Sequence, residues 1–249
     1  MTYAINAIAP YHRMSPRYGF TPTFKVVDTL KERGWEVTSV RQGSVRLPDK
    51  EGYQMHMVRM QNPSLLGRMS DMQPELVLLN SHDGSRAFKL CVGFYVYACL
   101  NGLMTAQDGM GAFSQYHSGN AMKNVLEGVY EIVERVPMVV NRVQEFKALP
   151  TSDDVEEEFA IEAMKLKWKD QVPVLPRLLT SPRRFEDSSR TLWKLYNRVQ
   201  ENLMKGGLPY TTRTGGTVRS RGTRSVAASV KLNWGLWRLT EDTAAKLAA

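Results

Sequence analysis

The hydrophobic period of the chain changes twice along its length. Phe24, Val27 and Leu30 recur at helical spacing and Gly34 follows them, which predicts a short helix over Phe24–Arg33. From Trp35 the period falls to two. Trp35–Leu47, Tyr53–Gln61, Glu75–Asn80 and Arg86–Ala98 read as strands, set apart by turn residues at Pro48, Asp49 and Gly52 and at Asn62-Pro63-Ser64. In the fourth, Phe88, Leu90, Val92, Phe94 and Val96 alternate with Lys89, Cys91, Gly93, Tyr95 and Tyr97, giving one apolar and one mixed face. Asp83-Gly84 between the third and fourth runs predicts a hairpin, and Asn101-Gly102 a further turn. An antiparallel meander follows.

Helical spacing returns at Asn120–Val136, where Val125, Leu126, Val129, Ile132, Val133 and Val136 form a core-facing stripe that Pro137 is expected to end or kink. Thr151-Ser152 can cap a helix over Asp153–Lys169, whose acids cluster at its start and whose lysines cluster at its end. Gln171–Pro182 reads as a Pro-rich loop. Arg190–Lys205 is helical, with Leu192, Leu195, Tyr196, Val199 and Leu203 inward and Gly206-Gly207 as its stop. Tyr210–Ser225 is expected to be a mobile basic loop, and Val226–Trp237 regains apolar character. The expected class is α+β: an antiparallel β-meander packed on a long helix over residues 1–150, with a helical, basic C-terminal region over 151–249 packed on that core.

With 249 residues the chain can bury one sizeable core or two modest ones without staples. Cys91 and Cys99 are too few for a disulfide framework or a multi-cysteine zinc module, and read as core thiols in a reducing compartment. Met1–Phe20 lacks the apolar core of a secretory signal. The longest apolar run, Leu90–Leu100, is far short of the roughly twenty residues of a membrane span. A soluble, cytoplasmic protein is expected.

The net charge of +8 changes this picture through its distribution. Arg177–Arg238 holds thirteen Lys and Arg against Glu186, Asp187 and Glu201, so this window carries +10 and the rest of the chain −2. No acid occurs between Asn202 and Thr240. Such a stripe attracts polyanions by releasing counterions, although a solvated tail has the same composition. The candidate single-stranded DNA contacts are Arg183, Arg184, Lys194, Arg198, Lys205, Arg213, Arg219, Arg221 and Arg224. Trp193, Tyr196 and Tyr210 lie among them as candidate stacking rings, whereas Trp234 and Trp237 are expected in the core.

Catalytic signatures are sparse. There is no phosphate-cradling loop, Gly109-Met110-Gly111 lacks the third glycine of a dinucleotide fingerprint, and no serine sits in a nucleophile elbow. His82 and Asp83, with Asn80 nearby, leave open a metal-dependent nuclease, but turn geometry also explains Asp83-Gly84. No cofactor is expected.

A run of short motifs carries a family likeness. Asn80-Ser81-His82-Asp83-Gly84-Ser85 is followed by Cys99-Leu100-Asn101-Gly102-Leu103 and by Tyr116-His117-Ser118-Gly119-Asn120. Pro182-Arg183-Arg184 comes next, then Thr191-Leu192-Trp193 with Asn197 and Gln200-Glu201-Asn202-Leu203, and finally Lys231-Leu232-Asn233-Trp234-Gly235-Leu236-Trp237. In this order they resemble a phage- and plasmid-borne family known as a domain of unknown function, over Phe24–Leu239. That family is distantly similar to the Rad fifty-two superfamily of single-strand annealing proteins. The resemblance implies a homo-oligomeric ring or filament that anneals complementary DNA without ATP in the bacterial host cytoplasm. It also implies a phage exonuclease or a host single-strand-binding protein as partners, and no membrane. A host-takeover protein acting through protein contacts is the other class left open.

Overall fold

The computed structural model describes residues 3–65, 71–96, 101–104, 112–169, 173–212 and 214–248, with backbone only for 101–103. The protein is α+β, and its chain divides into two compact units, Met1–Val139 and Val140–Ala249.

In the first unit α1 (Thr23–Lys31) precedes β1 (Glu36–Gln42), β2 (His56–Gln61), β3 (Met72–Asn80) and β4 (Phe88–Val96). These strands pair antiparallel in chain order, as the alternating pattern predicts. Two four-residue strands extend the sheet. β5 (Asn101–Met104) pairs with Gly93–Val96 of β4, and β6 (Ala112–Gln115) pairs with Phe88–Cys91 on the same edge. Asn101-Gly102, expected in a turn, lies within β5 opposite Val96 and Tyr95. Strand pairing overrides the local turn preference of Asn-Gly; residues 97–100 lie outside the described residues. Cys99 is among them, while Cys91 is buried and its Sγ donates to the Val77 carbonyl at 3.6 Å.

Register places Val58, Leu78 and Leu90 abreast, and next to them Met60, Leu76 and Val92, so one sheet face is continuously apolar. All nine residues of β3 are buried, including Gln73 and Glu75 on the opposite face. There Arg59 is ion-paired with Glu75, and Gln61 Nε2 donates to Glu75 Oε1 at 2.9 Å, which satisfies the buried carboxylate. The helix α2 (Ala121–Ala148) meets β6 at Gly128, where a Cβ atom would lie 2.5 Å from the Phe113 ring. Of the two outcomes expected at Pro137, an end does not occur: α2 continues past it. The buried stripe runs on through Val136, Val139, Val143 and Phe146, while Pro137 sits on the exposed side, where water can solvate the carbonyl it frees.

The second unit contains α3 (Asp153–Trp168), α4 (Pro176–Thr180), α5 (Leu192–Lys205), a hairpin of β7 (Pro209–Thr211) and β8 (Thr217–Arg219), and α6 (Val226–Ala248). Ser152 caps α3 by accepting from Val155 N at 3.3 Å. The stretch read as a Pro-rich loop contains α4, which Pro176 starts rather than breaks. α3, α5 and α6 pack together around Phe146, Phe159, Trp193, Tyr196 and Trp237. Tyr196 lies 5.6 Å from Trp193 and 6.1 Å from Trp237, ring centre to ring centre. Trp193 and Tyr196 are therefore core residues, not stacking surfaces for a base. Within the segment expected to be a mobile loop, the β7–β8 pairing is regular. Among the described residues, no helix is long and apolar enough to cross a membrane.

Candidate nucleic-acid interface

The helix α5 starts at Thr191, whose side chain accepts from Lys194 N, and its apolar stripe fixes which charged residues face the protein. Arg198 is buried. Its Nη1 donates to the carbonyls of Asp187 and Ser189 at 2.9 and 2.8 Å, and its Nη2 to Glu156 Oε1 at 2.8 Å. Arg184 pairs with both Glu201 and Asp187. Lys194 reaches Asp187 Oδ1 at 3.0 Å, and Lys205 reaches Glu201 Oε1 at 2.6 Å. Arg183 Nε donates to Asn202 Oδ1 at 2.6 Å, and its Nη2 to the Gly206 carbonyl. Asp187 and Glu201 are themselves buried, and buried carboxylates need such partners. Four of the nine candidate cations, Arg183, Arg184, Lys194 and Arg198, thus hold the 181–190 segment onto α5 and α3, while Lys205 pairs with Glu201 within α5. Asn197 is buried on the same helix and donates to the Trp193 carbonyl at 2.7 Å.

The other described candidates, Arg219, Arg221 and Arg224, lie beyond α5, and Arg213 falls outside the described residues. Arg219, Arg221 and Arg224 are exposed, as are Lys231 and Arg238 on α6. Arg219 donates to the Gly207 carbonyl at 2.8 Å, a neutral partner that leaves its charge uncancelled. The root of the hairpin is tightly joined to the end of α5. Gly206 has φ +67°, and a Cβ there would lie 2.5 Å from Gly222 N. Thr223 N donates to the Met204 carbonyl at 2.8 Å, and Gly207 N to the Ser220 carbonyl at 2.8 Å. Lys167 at the end of α3 bridges the carbonyls of Leu203 and Arg221 at 2.5 and 2.8 Å, and burial pushes its pKa down to about 8. The hairpin therefore holds its guanidinium groups on a fixed base. Tyr210, half-buried in β7, is the remaining candidate ring among the basic residues.

The first unit gathers a different set. Thr23 Oγ1 lies 2.7 Å from His56 Nε2, 3.3 Å from His82 Nε2 and 3.0 Å from Asn80 Nδ2. Asn80 Nδ2 also donates to the Thr21 carbonyl at 3.0 Å, and its Oδ1 accepts from Ser81 N at 2.8 Å. His56 Nδ1 faces the Gln54 carbonyl at 3.0 Å, so Nδ1 carries the proton and Nε2 accepts from the Thr23 hydroxyl. Burial pushes His56 down to about pKa 4; burial and then the neighbouring histidines push His82 to about 3. His82, next to the Asp83-Gly84 turn, is fully buried, because the connection between β3 and β4 folds its side chain back onto Thr23 of α1 and His56 of β2. Asp83 is held by Lys50 at 3.2 Å and accepts from Ser85 N at 3.1 Å; these bonds outweigh burial and lower its pKa. A buried, neutral hydrogen-bond network of this kind fastens α1 to the sheet. Among the described residues, no three His, Cys, Asp or Glu side chains gather to hold a metal ion.

Glu156, Thr23 and Lys167 carry no sequence signal for these roles, since each partner lies dozens of residues away. Comparison with known proteins adds the following. The model of the family described as Domain of unknown function (DUF932) matches residues 10–237. UPF0380 protein YfjQ of Escherichia coli (strain K12) is 33% identical over 235 residues, covering 94% of this chain and 85% of that protein. UPF0380 protein YafZ of the same strain is 33% identical over 229 residues, 91% of this chain and 82% of its own. No solved structure matches the chain.

Proposed function

The chain belongs to the DUF932 family, and we propose that it binds single-stranded DNA through the β7–β8 hairpin and anneals complementary strands without a nucleotide cofactor. One observation carries this reading. Arg219 at the end of β8, and Arg221 and Arg224 in the segment that joins the firmly rooted hairpin to α6, stand exposed inside a run from Asn202 to Thr240 that contains no acid. Guanidinium groups grip phosphates in a planar fork, and their charge screens the repulsion between two approaching strands. Lys231 and Arg238 on α6 extend the same charge. Annealing needs two strands held at once, so copies of the chain act together. The proposed footprint is smaller than the sequence stripe, because Arg183, Arg184, Lys194, Arg198 and Lys205 serve the fold.

A strand-annealing assay with complementary labelled oligonucleotides, run in magnesium and again in chelator, tests the proposal. Faster annealing in both conditions is expected. Degradation that depends on magnesium, or no effect on either strand, would overturn it.

A further inference from the structure

Among the described residues of the second unit, Phe185 is the most exposed large apolar side chain, at 88%, and the chain is held on both sides of it. On its N-terminal side Arg184 is paired with Glu201 and Asp187, and Arg183 is fastened to Asn202 and the Gly206 carbonyl. On its C-terminal side Asp187 receives Lys194 through its carboxylate and Arg198 through its carbonyl. Ser188 N and Oγ both donate to the Phe185 carbonyl, at 2.9 and 2.5 Å. Asn202 Nδ2 donates to the carbonyls of Leu179 and Ser181 at 2.8 and 2.9 Å, which pins the start of the segment to α5. A ring on a slack loop would turn inward to leave water. Here buried ion pairs on both sides hold the backbone so that the ring stays out.

The position of the ring indicates what it meets. Arg183 grips the carbonyl of Gly206 and Arg219 that of Gly207, so the Phe185 segment and the basic hairpin converge on the C-terminal end of α5. We propose that Phe185 is the ring on which a base of the bound strand stacks, beside the hairpin that holds its phosphates; this rests on the reading above. A protein partner would call for a wider apolar patch. Of the residues flanking Phe185 in sequence, Ser181, Arg183, Glu186, Ser188 and Ser189 are polar or charged and exposed, and Pro182 is the one exposed apolar neighbour between 181 and 189. A lone ring near cations fits a nucleobase, whose face needs one aromatic partner and whose phosphate needs a cation.

The test titrates fluorescein-labelled oligothymidylate into the full chain and into Phe185→Ala and Phe185→Trp. Phe185→Ala is expected to weaken binding about tenfold, 1.4 kcal/mol, with an unchanged slope of affinity against salt, because stacking releases no counterions. Phe185→Trp is expected to keep its affinity, with an indole emission that the oligonucleotide quenches. Unchanged affinity in Phe185→Ala, with no quenching in Phe185→Trp, overturns the proposal while leaving the hairpin reading intact. Loss of self-association by light scattering in Phe185→Ala, with DNA affinity retained, makes the ring a subunit contact and overturns it too. If the parent chain does not bind the oligonucleotide, the hairpin reading fails first and this one with it.

Discussion

Arg198 on α5 sets its Nη2 2.8 Å from Oε1 of Glu156 on α3, a residue 42 positions earlier in the chain. Only 3% of the arginine side chain is exposed. A residue that composition assigns to a DNA-binding stripe is thus an internal tie. Replacing it with Ala leaves Glu156 and two carbonyls short of a donor, and the expected loss is about 3–5 kcal/mol of stability in urea unfolding. Arg198→Lys is expected to recover little of this, since one ammonium cannot reproduce a fork that serves three acceptors. DNA affinity of the folded Arg198→Lys protein stays within about twofold of the parent, because 1.4 kcal/mol per tenfold leaves no room for a lost phosphate contact.

Acid should weaken the first unit. Unfolded, His56 and His82 titrate near their ordinary value of 6.5; folded, they are held at about 4 and about 3, and His117 is shifted the same way. The folded state therefore binds fewer protons. Stability is full above pH 6.5 and falls as the pH drops toward 4, by up to about 1.4 kcal/mol per pH unit for each histidine. Urea midpoints at pH 7 and pH 5 measure this, and equal midpoints would contradict the buried neutral network.

Thr23→Val removes the hydroxyl shared by His56, His82 and Asn80 while keeping the shape of the side chain. At least about 2 kcal/mol of destabilisation is expected from the stranded polar groups, and Thr23→Ser should restore most of it. Thermal unfolding of the two variants decides the point; equal melting temperatures would reduce the hydroxyl to a bystander.

Two adjacent glycines make a controlled comparison. Both have positive φ, but a Cβ on Gly206 would strike the Gly222 backbone at 2.5 Å, whereas nothing lies within 4 Å of one on Gly207. Gly207→Ala carries backbone strain alone, about 1–2 kcal/mol. Gly206→Ala should cost clearly more and loosen the hairpin root, seen as faster amide exchange over residues 208–220.

The strands and helices were legible where burial follows a simple period. Phe88–Val96 alternates as read and is β4, and Thr151-Ser152 starts α3 as its capping residues suggest. The four-residue β5 and β6 left no periodic signal, and local turn chemistry at Asn101-Gly102 pointed away from a strand. Pro137 does not end α2, because the continuing apolar stripe outweighs the hydrogen bond it removes. The candidate site was legible only as charge. A sequence window counts Arg184 and Glu201 as opposite charges on a stripe, but it does not reveal that they touch, nor that Asp153 and Glu156 of α3 come to meet Arg190 and Arg198. Phe185 did leave a trace, as a solitary ring in Arg183-Arg184-Phe185-Glu186-Asp187, and its exposure follows from those flanking charges being used to lock the backbone.

The account rests on the hairpin cations, and the salt dependence of single-strand binding tests them most directly. Arg219, Arg221 and Arg224 are replaced together by Gln, and affinity for an oligothymidylate is measured across a range of salt concentrations for parent and variant. Each lost phosphate contact should flatten the log–log slope by about 0.7, so the variant should lose about 2 units of slope and at least tenfold in affinity at low salt, with an unchanged melting temperature. A variant that binds with the parent's affinity and slope would contradict the account.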